Sequence, residues 1–131
     1  MAKRRVKLAE LQLAIVQVLW DREEATVAEV RAALEPGRCL AHTTIATMLS
    51  KMELQGYVTH RNEGRVNVYR PRLKRDAVSR TMVSDLADRL FHGDLTQMVA
   101  HLLAGTDVTA EELSQLKQLI ADHEKELRDG R

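Results

Sequence analysis

HTTIATMLSKMELQ, residues 42–55, is followed by Gly56 and decides the fold of this chain. Its apolar residues recur at i, i+3, i+4 and i+7, the spacing of one face of an α-helix. Those residues are Ile45, Met48, Leu49 and Met52. The opposite side carries mostly short side chains, several with hydroxyl groups that both donate and accept hydrogen bonds. Such a face either packs on another helix or lies against the floor of a nucleic-acid groove.

Two helices and a hairpin flank this stretch. Before it, apolar residues at helical spacing predict a first helix ending at Trp20, and a capping box at Thr26 opens a second helix that Pro36-Gly37 stops. After Gly56 the apolar period changes to 2, and Gly64 can supply the positive φ angle of a short hairpin loop. Three helices followed by a hairpin with basic flanks is the order of a winged helix-turn-helix, whose third helix enters the major groove.

The rest of the sequence predicts three helices, each with an apolar face. The first breaks near His92-Gly93, the second ends at Gly105, and the third begins at a capping box at Thr109. These faces have too little partner surface within so short a segment, so we expect the same segment of a second chain to cover them. The residues expected at this homodimer interface are Met82, Leu86, Leu90, Leu95, Met98, Leu102, Leu113, Leu116, Ile120 and Leu127.

The predicted fold is mainly α with a small β-hairpin. It comprises a winged helix-turn-helix DNA-binding domain over residues 1–72 and a helical C-terminal dimerisation domain over residues 73–131. The charges follow a similar division, since residues 1–75 contain 14 Lys/Arg and 8 Asp/Glu, whereas residues 76–131 contain 6 and 11. A basic half joined to an acidic half indicates that only the first half meets a polyanion.

The cysteine content and the hydropathy of the chain indicate the cellular compartment in which it works. The single cysteine, Cys39, excludes an intrachain disulfide and fits a reducing environment; we expect it to be a small buried hydrophobe. No apolar run approaches the length of a membrane span, and no apolar signal region follows the basic N-terminus. We therefore expect a cytoplasmic protein without membrane insertion.

From Leu8 to about Leu127 the chain resembles the penicillinase-repressor family, which includes BlaI- and MecI-type repressors and the copper-responsive CopY relatives. The segments that carry the resemblance are Glu10-Leu11, Val18-Leu19-Trp20, residues 43–49, residues 62–71, Phe91-His92-Gly93 and Met98-Val99. The resemblance implies a sequence-specific DNA-binding transcriptional repressor. It would act as a homodimer on an inverted-repeat operator, typically built from TACA/TGTA half-sites.

The chain departs from the family's pattern at positions that bear on the operator and on induction. The family often opens its recognition helix with Ser-Pro and a Lys, where this chain has Ala41, His42 and Thr43. Members controlled by a membrane-bound sensor protease are cut at an Asn-Phe bond. The matching pair here is His101-Leu102, which argues against cleavage but leaves such a protease as a candidate partner. Copper-responsive members carry paired cysteines, which a single cysteine cannot replace.

The third helix and the hairpin contain the residues expected to contact DNA. We expect Thr43, Thr44 and Thr47 to read bases, because a Thr can bond a base edge or place its methyl against that of thymine. His42 adds a contact at the start of the helix. Thr44 also fits as a helix cap or as a hydroxyl bonded back to the backbone. The cations expected to neutralise phosphates, and so to position the dimer, are Lys3, Arg4, Arg5, Lys51, Arg61 and Arg65.

No grouping of residues predicts catalysis. The five histidines lie on separate elements without metal-ligand spacing, and no Gly-rich phosphate loop is present. We therefore expect neither an enzyme nor a metal or other cofactor. The alternative function is a winged-helix protein-interaction or assembly module without specific DNA binding, since the recognition face has few Arg or Lys residues. The basic hairpin and N-terminal arm favour DNA over this alternative.

Overall fold

The computed structural model describes residues 8–130, so the predicted phosphate contacts Lys3, Arg4 and Arg5 lie outside the described residues. Two compact units divide the chain, Met1–Asp85 and Leu86–Arg131; the functional boundary at residues 72 and 73 stays a prediction. The elements in chain order are α1 (Glu10–Arg22), β1 (Ala25–Thr26), α2 (Val27–Leu34), α3 (His42–Leu54), β2 (Val58–Glu63), β3 (Val66–Pro71), α4 (Arg75–Phe91), α5 (Leu95–Gly105) and α6 (Ala110–Gly130).

The core of the first unit is aliphatic and lies between its three helices and a small sheet. The fully buried helical side chains are Ile15, Val16, Leu19, Val30, Ile45, Leu49 and Met52. The predicted apolar face of α3 is confirmed, with Met48 half-buried at its edge. Val16 of α1 is among the buried side chains because α1 packs against α2 and also against strands of the sheet.

Capping boxes start two of the helices as predicted. At α2 the Glu29 N–H donates to Thr26 Oγ1 at 3.1 Å, and the Thr26 N–H donates to Glu29 Oε1 at 2.8 Å. Ahead of α6 the same reciprocal bonds join Thr109 and Glu112, both at 3.1 Å. Each box satisfies backbone donors that a helix start leaves free.

The hairpin of β2 and β3, called the wing below, belongs to a three-stranded antiparallel sheet of order β1-β3-β2. Glu63 pairs with Val66, so a two-residue loop joins the strands. Gly64 takes the positive φ expected of it, 66°, as the first position of a type II′ turn requires. The strand β1 was not predicted, since two residues are too few to show an alternating pattern.

Three hydrogen bonds that involve side chains connect α1, α3, the wing and the segment after the wing. Gln12 Nε2, on a buried side chain of α1, donates to Gln55 Oε1 at 3.0 Å just after α3. Trp20 Nε1 donates to the Leu73 carbonyl at 2.8 Å. The His60 N–H in β2 donates to a Glu53 carboxylate oxygen of α3 at 3.2 Å. The helix and the hairpin are thereby held in one arrangement.

Cys39 is exposed, so the expectation of a buried small hydrophobe is wrong. It lies in the turn between α2 and α3, where its neighbour Leu40 packs against the core instead. Arg31 Nε holds this turn by donating to the Leu40 carbonyl at 2.8 Å. Because one residue of the turn faces inward, the adjacent side chain points to solvent.

The second unit buries little of its apolar surface. The chain turns between α4 and α5 at His92 and Gly93, whose φ angles are 52° and 80°, which confirms the predicted break. Asp94 then caps α5 by accepting from the Gln97 N–H at 3.1 Å. Every residue of α6 is exposed. Within residues 8–130 no helix is both long and apolar enough to cross a bilayer.

Candidate nucleic-acid interface

The outward face of α3 is exposed to solvent. Thr43, Thr44 and Thr47 are all exposed, and Lys51 follows one turn after Thr47. In the part of the chain that the structure describes, no hydrogen bond engages these three hydroxyl groups. The face combines short side chains with free donors and acceptors, as contact with base edges requires.

The start of α3 excludes one interpretation of Thr44, that of a helix cap. Ala41 occupies the N-cap position and provides no side-chain hydrogen bond. Thr44 lies inside the first turn, where its own N–H donates to the Ala41 carbonyl at 3.1 Å. Thr44 is therefore not the cap of this helix.

A groove of about 500 Å³ separates α3 from the wing and from the start of α2. His42, Ala46 and Ser50 line one wall at a spacing of four residues, which places them on one side of α3. The facing wall includes Arg65 and Asn67 of the wing. The helix face, the groove and a cation at the hairpin tip thus lie side by side on one surface.

The cations of the wing differ in their surroundings. Arg65 is exposed in the hairpin loop, beside the groove. Arg61, in contrast, is held by two carboxylates: its Nη1 donates to Glu24 Oε1 at 2.6 Å and its Nη2 to Glu63 Oε2 at 2.7 Å. Arg61 must leave at least one of these partners before it can offer a phosphate two parallel N–H donors.

The ion pair shifts the pKa values of both Glu24 and Arg61. The hydrogen bond from Arg61 is the largest influence on Glu24 and lowers the pKa of its carboxyl group, against a smaller opposing effect of burial. The bonds to Glu24 and Glu63 raise the pKa of Arg61. Sequence reasoning missed Glu24 because the two partners lie far apart in the chain, and no local spacing connects them.

Most residues expected at the dimer interface are exposed in the single chain. The exposed fractions are 45% for Leu86, 64% for Leu90, 69% for Leu95, 58% for Leu102, 41% for Leu113, 38% for Leu116, 58% for Ile120 and 75% for Leu127. Met82 is half-buried, and Met98 is already buried within its own chain. Between α5 and α6, Leu102, Leu116 and Leu119 line an open groove of about 560 Å³.

The pair that matches the family's protease-cleavage site, His101 and Leu102, is exposed. The ring of His101 lies 5.1 Å from that of Phe91. Among residues 8–130, no three His, Cys, Asp or Glu side chains are arranged to hold a metal ion.

Fold and surface define a winged-helix protein with an appended helical region. The penicillinase repressor family model matches residues 8–122, and the chain belongs to this family. It is 26% identical over 121 residues to the penicillinase repressor of Bacillus licheniformis, covering 92% of this chain and 94% of that protein. It is 32% identical over 120 residues to the transcriptional regulator BlaI of Mycobacterium tuberculosis, covering 90% of this chain and 86% of that one.

Two solved structures resemble the fold. A MarR family protein from Bacillus stearothermophilus superimposes with a TM-score of 0.53 and 18% identity, over 95% of this chain and 78% of that one. The solution structure of the DNA-binding domain of the repressor BlaI covers 56% of this chain and 90% of that domain, with a TM-score of 0.49 and 28% identity. The first supports the predicted fold class, a mainly helical protein with a small sheet.

Proposed function

We propose that this chain is a sequence-specific DNA-binding transcriptional repressor that acts as a homodimer on an inverted-repeat operator. The observation that carries the proposal is the exposed hydroxyl face of α3, formed by Thr43, Thr44 and Thr47 beside a basic wing. In a winged helix this helix enters the major groove. The hydroxyl groups would bond base edges, and the Thr methyl groups would meet thymine methyl groups. His42 adds a contact where the helix begins.

Cations around this face would contact the phosphates. Lys51 on α3 and Arg65 at the tip of the wing are both exposed, and Arg61 would join them once released from its carboxylate partners. The N-terminal arm cations would add further contacts. Such contacts fix register without carrying sequence information. If a dimer makes roughly eight of them, the logarithm of the binding constant should fall against that of the salt concentration with a slope of about −7.

The helical second unit would supply the dimer contacts. The apolar side of α6 runs through Leu113, Leu116 and Ile120, and every residue of that helix is exposed in the single chain. A monomer seldom leaves so long an apolar stripe in water. A second copy offers the same stripe, and a two-fold pair of recognition helices would fit two inverted half-sites.

A gel-shift titration would test the proposed function with DNA from upstream of the chain's own gene. The competitor is a scrambled duplex of the same length and base composition, and both are titrated at several salt concentrations. The proposal predicts tighter binding to the upstream duplex and a steep salt dependence for both. Equal affinity for the two duplexes, or no binding to either, would favour the alternative of a protein-interaction or assembly module.

A further inference from the structure

All three nitrogens of the Arg61 side chain donate hydrogen bonds to carboxylates. Nη1 and Nη2 donate to the two carboxylate oxygens of Glu24 at 2.6 and 3.0 Å. Nε and Nη2 donate to Glu63 Oε2 at 3.0 and 2.7 Å. A guanidinium engaged in this way on both edges presents no complete fork to a phosphate group.

The cluster of Arg61, Glu24 and Glu63 carries one more negative than positive charge. Arg70, on the neighbouring strand, adds an attraction to Glu24 that also lowers the pKa of its carboxyl group. With Arg70 included, the four side chains carry no net charge, so this part of the wing has no surplus of positive charge at the position where the sequence predicted a phosphate contact. A duplex approaching this surface meets a guanidinium that is already paired with carboxylates.

We propose that Glu24 competes with duplex phosphates for Arg61 and thereby sets how tightly the wing holds DNA. The inference rests on the proposed function. In the free protein, Arg61 is paired with Glu24; on the duplex, it exchanges this carboxylate for a phosphate oxygen. Both groups are singly charged partners that accept the same two-pronged hydrogen bond.

Exposure makes the exchange feasible. The side chains of Arg61 and Glu24 are 43% and 40% exposed. Ion pairs in such positions are weak because water and salt screen them. A polyanionic duplex can therefore displace the carboxylate, which would not hold for a buried pair.

Glu24, rather than Glu63, is the competitor that matters. Glu63 lies two residues after Arg61 in the same strand and moves with it. Glu24 precedes β1 and belongs to a different segment, so its bond ties the wing to the turn after α1. Only the two hydrogen bonds to Glu24 must break for Arg61 to offer Nη1 and Nη2 together to a bound duplex.

The test is a comparison of duplex affinities for Glu24→Gln and the unchanged chain. The amide keeps the size of the side chain but removes the charge that competes for Arg61. We expect Glu24→Gln to bind the upstream and scrambled duplexes more tightly by the same factor, about fivefold per protomer. Glu23→Gln removes the same charge from the adjacent exposed position and should have a much smaller effect.

A double-mutant cycle then assigns the gain to Arg61. In a chain carrying Arg61→Met, Glu24→Gln should no longer strengthen binding, and thermal unfolding of each variant verifies that it is folded. Equal gains from Glu24→Gln and Glu23→Gln, a gain that persists with Arg61→Met, or weaker binding by Glu24→Gln would overturn the inference. Failure of the unchanged chain to bind any duplex would instead contradict the proposed function.

Discussion

Leu49 and Leu54 lie on the same helix, α3, but differ in burial. Leu49 is fully buried in the core, whereas Leu54 is 90% exposed at the end of the same helix. We expect Leu49→Ala to lower the free energy of unfolding by about 2–5 kcal/mol, because it removes buried methyl groups and leaves a cavity. Leu54→Ala should change it by no more than about 0.5 kcal/mol. Urea unfolding followed by circular dichroism measures both, and similar losses for the two variants would contradict the burial pattern.

At the scale of single residues, local patterns were predictable and distant pairings were not. The exposed threonines of α3 follow from helical spacing, because the apolar face fixes where the opposite side points. The pairing of Arg61 with Glu24 depends on how the wing folds back beside the turn after α1, which no local spacing encodes. Cys39 was assigned to the interior by residue type alone, and its place in an exposed turn decided otherwise.

Among the elements, the wing depends on one backbone conformation. Gly64 has a φ of +66°, with no heavy atom within 4 Å of the place where a Cβ would stand. We therefore expect Gly64→Ala to destabilise the protein by about 1–2 kcal/mol through backbone strain alone. Gly37→Ala is the matched control, since that position also has open space and lacks the positive φ. Thermal denaturation compares the two, and an equal effect would show that the hairpin turn does not impose the strain.

The helices and the hairpin could be predicted because each repeats a period or carries a start or stop signal. Capping boxes placed the starts of α2 and α6, and a change of period placed the wing. The strand β1 could not be found, because its two residues pair with β3 only in the folded chain. That strand makes the sheet three-stranded and brings the turn after α1 beside the wing.

For the whole molecule, the proposed dimer accounts for the apolar surface of the second unit. Ile120 is 58% exposed in the single chain, and in the dimer it would be covered. We expect Ile120→Lys to yield monomers at micromolar concentration, because an interfacial charge would lose its water without gaining a partner. Gln118→Lys adds the same charge on the opposite side of α6 and should leave a dimer. Sedimentation equilibrium distinguishes the two, and a monomeric unchanged chain would contradict the proposal.

The central claim is that exposed hydroxyl groups on α3 read the bases of an operator. The most direct measurement is the ratio of affinities for the upstream and scrambled duplexes, determined by fluorescence anisotropy for the unchanged chain, Thr47→Ala and the control Thr96→Ala on α5. The account predicts that Thr47→Ala reduces the ratio about tenfold while affinity for the scrambled duplex stays the same, and that Thr96→Ala changes neither. An equal loss of affinity for both duplexes in Thr47→Ala would contradict it.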